Sequence, residues 1–310
     1  MGRNSLQQQI KHNLTEKTRI GESRHQAKAE LREREGENYR FGMAVDTIHS
    51  IKTFDIYKEH CERFAQWCIE NKGVNKYANL EKIEPYAKDY LEAKEREGLS
   101  LYSLKAYKSA LGKLYGHEIE YKFHEKRTYD RIERSRNEVE KDRHFSEEKN
   151  RDLVVICRAT GGRREDIGKL SPDKFFTDRN GDLWVKFEQS KGGKDRIAPI
   201  LPQYREEVKE ILASRENPHA PIFDHIHSAC DVHGYRREYA RDLYNLVKDN
   251  QEIRERYAEK YPERAENVKG DQYHSHSKEH PFTGQRDNIY IVSQALGHNR
   301  LEVSVNHYLK

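Results

Sequence analysis

The sequence has no long apolar run. Of its 310 residues, 35% are hydrophobic and 35% are charged, and no stretch approaches the roughly 20 apolar residues that a membrane-spanning helix needs. The basic N-terminus has no apolar segment behind it, which argues against a secretory signal. We therefore expect a protein that has no membrane partner and stays in the cytoplasm.

Cysteine is scarce, with four residues in the chain. Cys61, Cys68, Cys157 and Cys230 form no CxxC pair and no spacing typical of a zinc ribbon or a disulfide framework. The sequence therefore favours reduced, mostly buried thiols.

Charge of one sign is not in large excess, because 57 basic residues are offset by 53 acidic ones, which leaves a net charge of +4. Global charge alone therefore does not establish a nucleic-acid partner, although a concentrated basic face would suit one. The length allows two domains that each bury a core.

Changes in composition divide the chain into four segments. Residues 1–46 are charged and are predicted to form an N-terminal helical extension that frays at its start. Residues 47–124 carry apolar residues at helical spacing and are predicted to form a small helical domain, with helices at 80–97 and 100–115. Residues 125–144 are dense in both charge signs, as a linker would be.

The last segment, residues 145–310, mixes both types of secondary structure. Alternation at 182–188 and the apolar run at 196–201 predict a β-hairpin around a glycine-containing turn. The rest is predicted to be helical, except for a polar stretch at about 249–286 that indicates a helix followed by a surface loop. The predicted fold class is mainly α with a small β-hairpin or sheet, an α+β arrangement.

Two motifs in the first half of this segment carry basic side chains. TGGRREDIGKL places Arg163 at the start of a helix, with Asp166 three residues later. SKGGKDRIAP places Lys191 at the tip of the predicted hairpin. Taken alone, an arginine or a lysine in either motif is more often an ordinary surface cation.

Two further motifs lie in the second half. HGYRREYARDLY puts His233 and Arg236 three residues apart, so that both project from one helix face. YIVSQALGHNRLEVSVNHYLK carries His298 just after a helix end, and Tyr308 ten positions later. Either pair alone has an ordinary structural explanation.

Together, the order of these residues resembles the active-site hexad of the tyrosine recombinases, the integrase family of phages and mobile elements. TGGRREDI is similar to that family's TG-apolar-R-x-x-E-L box, KGGKDRIAPI to its GKG-x-K-x-R-x-x-P hairpin, and LGHNR with the later tyrosine to its LGH box. The resemblance implies a catalytic integrase domain at 145–310 and a helical core DNA-binding (SAM-like) domain at 47–124.

The resemblance also implies a function: a site-specific recombinase or integrase of a mobile element that cleaves and rejoins DNA through a 3′-phosphotyrosine intermediate. Tyr308 would be the nucleophile, Arg163 and Arg236 would stabilise phosphate charge, and Lys191 would protonate the leaving oxygen. His233 would assist Tyr308, His298 would donate to a phosphate oxygen, and Asp166 would orient the basic groups. No metal, ATP or other cofactor is expected. The implied partners are double-stranded DNA and further copies of the chain, as a tetramer on paired sites in a prokaryote or its phage.

The sequence departs from the family in the long stretch between Arg236 and His298. It resembles a subgroup with HGxR-x-x-YA and an insertion before the LGH box, which supports His233; the alternative second arginine, Arg286, has no histidine three residues before it. The insertion also contains His274, His276 and His280. A polar loop is the preferred interpretation of that cluster, because no further ligand closes a zinc tetrahedron.

Two other functions stay open at this point. A type IB topoisomerase would use similar chemistry but relax supercoils as a monomer, and a noncatalytic protein could bind DNA on the same scaffold. Retention of all six positions argues against the second. A metal-dependent nuclease is disfavoured, because the sequence shows no clustered carboxylates for a two-metal site.

Overall fold

A computed structural model describes residues 4–40, 43–125, 144–191, 194–263, 270–275, 277, 279–298 and 300–310. The chain divides into two units, residues 1–127 and 128–310. The predicted linker at 125–144 lies almost wholly outside the described residues. None of the described helices is both long enough and apolar enough to cross a membrane.

In the described part of the first unit, all regular secondary structure is helical. Its α-helices are α1 (Leu6–Glu16), α2 (Arg24–Glu35), α3 (Ile51–Lys72), α4 (Leu80–Ile83), α5 (Ala87–Arg96) and α6 (Leu101–Tyr115). Ser50 and Ser100 cap α3 and α6 by accepting a hydrogen bond from a backbone N–H of the first turn. The apolar faces enclose one core around Phe64 and Tyr90.

Helix α1 belongs to this core, which differs from the predicted charged extension over 1–46. Leu6, Ile10 and Leu14 lie on one face at a spacing of four residues and are at most 1% exposed. Ser5 forms a capping box with Gln8, so the helix is well defined at its start. Three apolar residues among many polar ones are a weak signal in sequence, yet they are enough to anchor a short helix.

The predicted helix at 80–97 is interrupted. A 3-10 turn over Glu84–Tyr86 separates α4 from α5. Pro85 lies in this turn, where its missing N–H and fixed φ disfavour a continuous α-helix.

The second unit combines helices with a small antiparallel sheet, which confirms the predicted α+β class. Its α-helices are α7 (Arg151–Thr160), α8 (Arg164–Gly168), α9 (Arg205–Ala213), α10 (Val232–Asp249), α11 (Gln251–Ala258), α12 (Arg286–Ala295) and α13 (Leu301–Ser304). Its strands are β1 (Phe175–Thr177), β2 (Leu183–Ser190), β3 (Lys194–Pro199), β4 (Gln272–His274) and β5 (Thr283–Gln285).

The predicted hairpin is β2 and β3, joined by the turn that contains Lys191. Val185 pairs with Ala198 and Phe187 with Arg196, and the register shifts before Ser190. Strand β1, which the sequence did not reveal, extends the sheet by pairing with β2. The inner face of the sheet buries Trp184 in the core of the unit.

The segment between α10 and α12 is more structured than the predicted helix and surface loop. Helix α11 buries Tyr257 completely, and β4 pairs with β5 in a separate two-stranded sheet. The strand pair leads directly into α12, which begins at Arg286. The first part of this segment therefore belongs to the core.

Candidate functional site

The GlyGly turn after α7 sets the position of Arg163. Gly161 has φ of +58°, and a Cβ built there would lie 2.3 Å from Cδ1 of Tyr239. Only glycine combines this left-handed backbone with so close an approach. The turn delivers Arg163 to the N-cap position of α8, where its backbone N–H donates to Asp166 Oδ2 over 3.2 Å.

The Arg163 guanidinium lies between the hairpin and the end of α12. Its Nη1 donates to Ser190 Oγ over 2.9 Å, and its Nη2 donates to the carbonyl oxygen of Leu296 over 3.1 Å. Burial lowers the pKa of Arg163, and the nearby charge of Arg236 lowers it further. The group nevertheless keeps its proton at neutral pH, since arginine starts from so high a pKa.

A buried ion pair behind Arg163 was not singled out from the sequence. Arg196 donates from Nη2 to Asp166 Oδ2 over 2.9 Å, and both side chains are 5% exposed. Ser190 Oγ donates to Asp166 Oδ1 over 2.9 Å, which links the pair to β2. One sequence signal could have indicated this pair. Arg196 lies two residues before Ala198, so the alternation of β3 places a charged residue on its apolar face.

The charges of this pair affect each other's protonation. Burial opposes ionisation of Asp166. The charge and hydrogen bond of Arg196, together with hydrogen bonds from Ser190 and the Arg163 N–H, outweigh burial, and the pKa of Asp166 lies below its ordinary value. Burial, with the charge of Arg236, lowers the pKa of Arg196 to about 10. Asp166 therefore stays ionised among arginines, as the sequence-based role of an orienting group requires.

Helix α10 carries Arg236 into the centre of the unit, where it is 1% exposed. Its Nη1 donates to the carbonyl oxygen of Gly161, and its Nη2 donates to that of Leu296 over 2.6 Å. Leu296 thus accepts from both Arg163 and Arg236. This shared acceptor keeps the guanidinium groups of Arg163 and Arg236 close to each other.

The remaining nitrogen of Arg236 faces Tyr308. Nε donates to the tyrosine hydroxyl oxygen over 3.3 Å, and the guanidinium carbon is 5.5 Å from the ring centroid. Tyr308 is 6% exposed and lies in a single π-helical turn, Val305–Leu309. Such turns are rare and frequently occur at functional sites.

Two histidines flank the Tyr308 ring. The ring centroid of His298 is 5.3 Å away, and that of His233 is 6.0 Å away in an edge-on arrangement. His298 Nδ1 is 3.2 Å from Ser304 Oγ, and its Nε2 is 3.5 Å from Arg236 Nη2. His233 lies one helical turn before Arg236 on α10, and both side chains reach Tyr308.

Both histidines are neutral at physiological pH. Burial, followed by the charges of Arg236 and Arg163, lowers the pKa of His298 to about 3. Partial desolvation, followed by the charges of Arg236 and Arg237, also lowers the pKa of His233, although this residue keeps an exposed edge. Neutral imidazoles offer one donor and one acceptor each, so they are suited to proton handling and hydrogen bonding.

Lys191 occupies an exposed turn at the tip of the hairpin. It borders a cavity of about 390 Å³, whose wall also includes Arg163, Arg196 and His298. The structure thus places four of the six predicted residues around a fifth, Tyr308, and the Leu296 carbonyl, with Lys191 on the rim of the adjoining cavity. The cavity is positively charged on several sides and is suited to an anion.

Other candidates from the sequence lie elsewhere. Arg286 is at the start of α12, with its guanidinium 5.4 Å from the ring of Tyr273. Of the histidine cluster, His276 lies outside the described residues, and His274 hydrogen-bonds Thr283 Oγ1 over 3.1 Å. Within the part of the chain that the structure describes, no three acidic, histidine or cysteine side chains form a metal-binding group.

Known proteins resemble this chain in structure but not detectably in sequence. No family model and no curated protein matches the sequence. The XerH site-specific recombinase bound to its difH substrate in a pre-cleavage complex is 16% identical, with a TM-score of 0.52 over 99% of this chain and 94% of XerH. The post-cleavage complex of XerH with palindromic difH is 15% identical, with a TM-score of 0.52 over 98% of this chain and 91% of that one. At this identity the similarity shows that the chain shares the recombinase fold.

Proposed function

We propose that this protein is a tyrosine recombinase, a site-specific DNA recombinase or integrase that cleaves and rejoins strands through a 3′-phosphotyrosine intermediate. The observation that carries the proposal is the placement of the Tyr308 hydroxyl, 3.3 Å from Arg236 Nε and beside two neutral histidines. A tyrosine, two convergent arginines and a rim lysine are suited to transesterification of a phosphodiester.

The tyrosine needs help to act as a nucleophile, because an unperturbed phenol has a pKa of about 10. Arg236 stabilises the phenolate as the proton leaves, since its Nε already donates to the hydroxyl oxygen. His233 is the candidate base, because its neutral ring lies beside the phenol. Attack forms the bond from the Tyr308 oxygen to phosphorus and breaks the bond to the 5′-oxygen of the next nucleotide.

The arginines stabilise the charge that develops on the phosphate. Arg163 and Arg236 are planar forks that each match two phosphate oxygens, and both are held in place before substrate binds. Groups that need no reorganisation during the reaction are the most effective electrostatic catalysts. In this proposal they supply the charge that a metal ion supplies elsewhere, and His298 donates a hydrogen bond to a nonbridging oxygen.

Lys191 protonates the departing 5′-oxygen. A flexible ammonium on an exposed turn can reach the leaving group after DNA has entered the cavity. The phosphotyrosine bond conserves the energy of the broken phosphodiester. Rejoining by a second DNA end therefore needs neither ATP nor a metal ion.

The proposed partner is double-stranded DNA, and the proposed assembly is a tetramer on paired sites. The XerH complexes contain a DNA substrate in pre-cleavage and post-cleavage states, which supports the same substrate class here. The helical unit would bind DNA together with the catalytic unit, with residues 125–144 as the linker. We place the protein on the DNA of a mobile element, in a prokaryote or its phage.

The test uses duplexes from the genomic flanks of the gene, each carrying a nick that traps the covalent intermediate. Wild-type protein should form a covalent adduct in EDTA, whereas Tyr308→Phe should bind the same DNA and form none. Tyr244→Phe is the matched control, because Tyr244 packs against Phe282 away from the site. An adduct that persisted in Tyr308→Phe would refute the assignment, and DNA binding without any wild-type adduct would favour the noncatalytic alternative. Supercoil relaxation without intermolecular products would favour a type IB topoisomerase.

A further inference from the structure

The first part of the segment between α10 and α12 packs against the sheet that carries Lys191. Tyr257 of α11 meets Trp184 of β2 edge-on, with ring centroids 5.2 Å apart. Tyr261, just after the helix, also approaches Trp184 edge-on at 6.2 Å. Two tyrosines of this segment therefore pack on one tryptophan of the sheet. These contacts fix the distance between residues 257–261 and the sheet.

Ion pairs hold the same segment to the turn before β2. Asp182 is 1% exposed and accepts from Arg256 over 3.0 Å and from Arg205 over 2.6 Å. Lys260 Nζ lies 3.0 Å from Asp178 Oδ2. Buried carboxylates that are paired with fixed cations disfavour displacement, because breaking the pair leaves an uncompensated charge. Residues 251–261 are thus part of the rigid frame of the unit.

Tyr261 connects this frame to β3. Its hydroxyl donates to the carbonyl oxygen of Ile197 over 3.3 Å. Ile197 lies on β3, the strand that runs directly out of the turn containing Lys191. The next residue, Pro262, accepts a hydrogen bond over 2.8 Å from the hydroxyl of Tyr290 on α12, the helix that precedes His298. The two consecutive residues therefore bridge the hairpin to the helix at the opposite side of the cavity.

Tyr261 also forms part of the cavity wall. Lys260, Tyr261 and Pro262 line the same cavity as Lys191, Arg163 and His298. This wall adds to the direct links between the hairpin and the arginine side of the site, which are the Arg163–Ser190 and Arg196–Asp166 hydrogen bonds. A shift of about 1 Å in a catalytic group costs up to about a hundredfold in rate, so such a wall has catalytic consequences.

We propose that Tyr261 is a positioning residue for Lys191, which it serves by holding β3 and the cavity wall so that the ammonium meets the leaving 5′-oxygen. The inference rests on the proposed function, in which Lys191 is the general acid. Tyr261 itself takes no part in bond making or breaking. Its loss should impair protonation of the leaving group and leave the tyrosine and arginine side of the reaction largely intact.

The experiment compares two substrates for each full-length variant: an ordinary nicked duplex, and the same duplex with a 5′-phosphorothiolate at the scissile position. A thiolate leaves without protonation, so it bypasses the general acid. Tyr261→Ala should cleave the ordinary duplex about ten to a hundred times more slowly than wild type. On the thiolate duplex most of that loss should disappear. Tyr261→Phe, which removes only the hydroxyl, should show a smaller loss with the same rescue.

Three further variants make the outcome decisive. Lys191→Ala should be rescued by the thiolate, and Arg163→Ala should not. Tyr244→Ala removes a comparable tyrosine that packs on Phe282, and its rates on both duplexes should stay near those of wild type.

Equal losses on both duplexes for Tyr261→Ala and Tyr261→Phe, with Lys191→Ala rescued, would overturn the positioning role and leave the proposed function standing. If Tyr261→Ala does not fold, the rescue ratio of Tyr261→Phe decides alone. Failure of the thiolate to rescue Lys191→Ala would instead refute the general acid, and the positioning role with it.

Discussion

The two sides of the candidate site differ in how firmly the protein holds them. Arg236 is 1% exposed and donates to two backbone carbonyls and to Tyr308. Lys191 is exposed, at the tip of a hairpin turn. The arginine side is held in place before any substrate binds, whereas the lysine side has room to move.

The difference matches the chemistry proposed for each side. Charge on a phosphate is stabilised best by dipoles and cations that are already oriented, because reorientation during the reaction would cost free energy. A proton donor must instead follow the leaving oxygen, which moves as the bond breaks. We therefore expect substitutions on the buried side to affect folding as well as catalysis, and substitutions at the tip to affect catalysis alone.

The largest effect on folding is expected for Asp166→Asn. Removal of its charge leaves Arg196 buried without its ion-pair partner, and the loss of one member of a buried pair costs about 3–5 kcal/mol. The folded state lowers the pKa of Asp166 below its unfolded value of about 3.9. The stabilisation is therefore present above about pH 4 and is lost as the pH falls through the folded-state pKa.

Urea unfolding in a Trp67→Phe background measures this effect, because fluorescence then reports Trp184 in the core of the second unit. Glu165→Gln is the matched control, since Glu165 is the exposed neighbour on the same turn. At neutral pH the control should stay near wild type. A loss for Asp166→Asn that did not shrink in acid would contradict an electrostatic origin.

A smaller effect is expected for Gly297→Ala. Gly297 has φ of +66°, and a Cβ there would lie 2.7 Å from Cδ of Arg196. The left-handed backbone alone costs about 1–2 kcal/mol for an L-residue, and the contact adds to it. Gly181→Ala isolates the backbone cost, because Gly181 has φ of +76° and nothing within 4 Å of its Cβ position. If both variants lost the same free energy of unfolding, the packing of Gly297 against Arg196 would not matter.

The parts of the fold that the sequence predicted are those with strong local signals. The hairpin follows from alternation around a glycine turn, and the placement of His233 and Arg236 one turn apart on α10 follows from helical periodicity. The six candidate residues follow from motif order; Arg163, Lys191 and His298 line one cavity, and His233, Arg236 and His298 lie beside Tyr308. Their catalytic roles stay a prediction.

The parts that the sequence did not predict depend on contacts between distant segments. Helix α1 is anchored by three apolar residues that pack into a core shared with distant residues, from Ile48 to Ile119. Arg196 and Asp166 are 30 positions apart, and their pairing depends on how β3 packs against α8. Tyr257 and Tyr261 look like residues of a polar insertion until Trp184 is seen beneath them. Local pattern carries little information about such tertiary packing.

The smallest effect on folding is expected for Lys191→Ala, and this variant tests the comparison most sharply. An exposed side chain in a turn contributes within about 0.5 kcal/mol to the free energy of unfolding, whereas loss of a general acid lowers the rate by about 10²–10⁴. The same fluorescence assay and the nicked-duplex assay measure the two quantities. Lys186→Ala is the control for charge alone: Lys186 lies on β2 and lines the same cavity, but it pairs with Glu188 over 2.8 Å, so its loss should lower cleavage far less. Equal losses of cleavage in the two lysine variants would mean that the hairpin supplies only positive charge, and a large loss of stability in Lys191→Ala would mean that the tip is held as firmly as the arginine side.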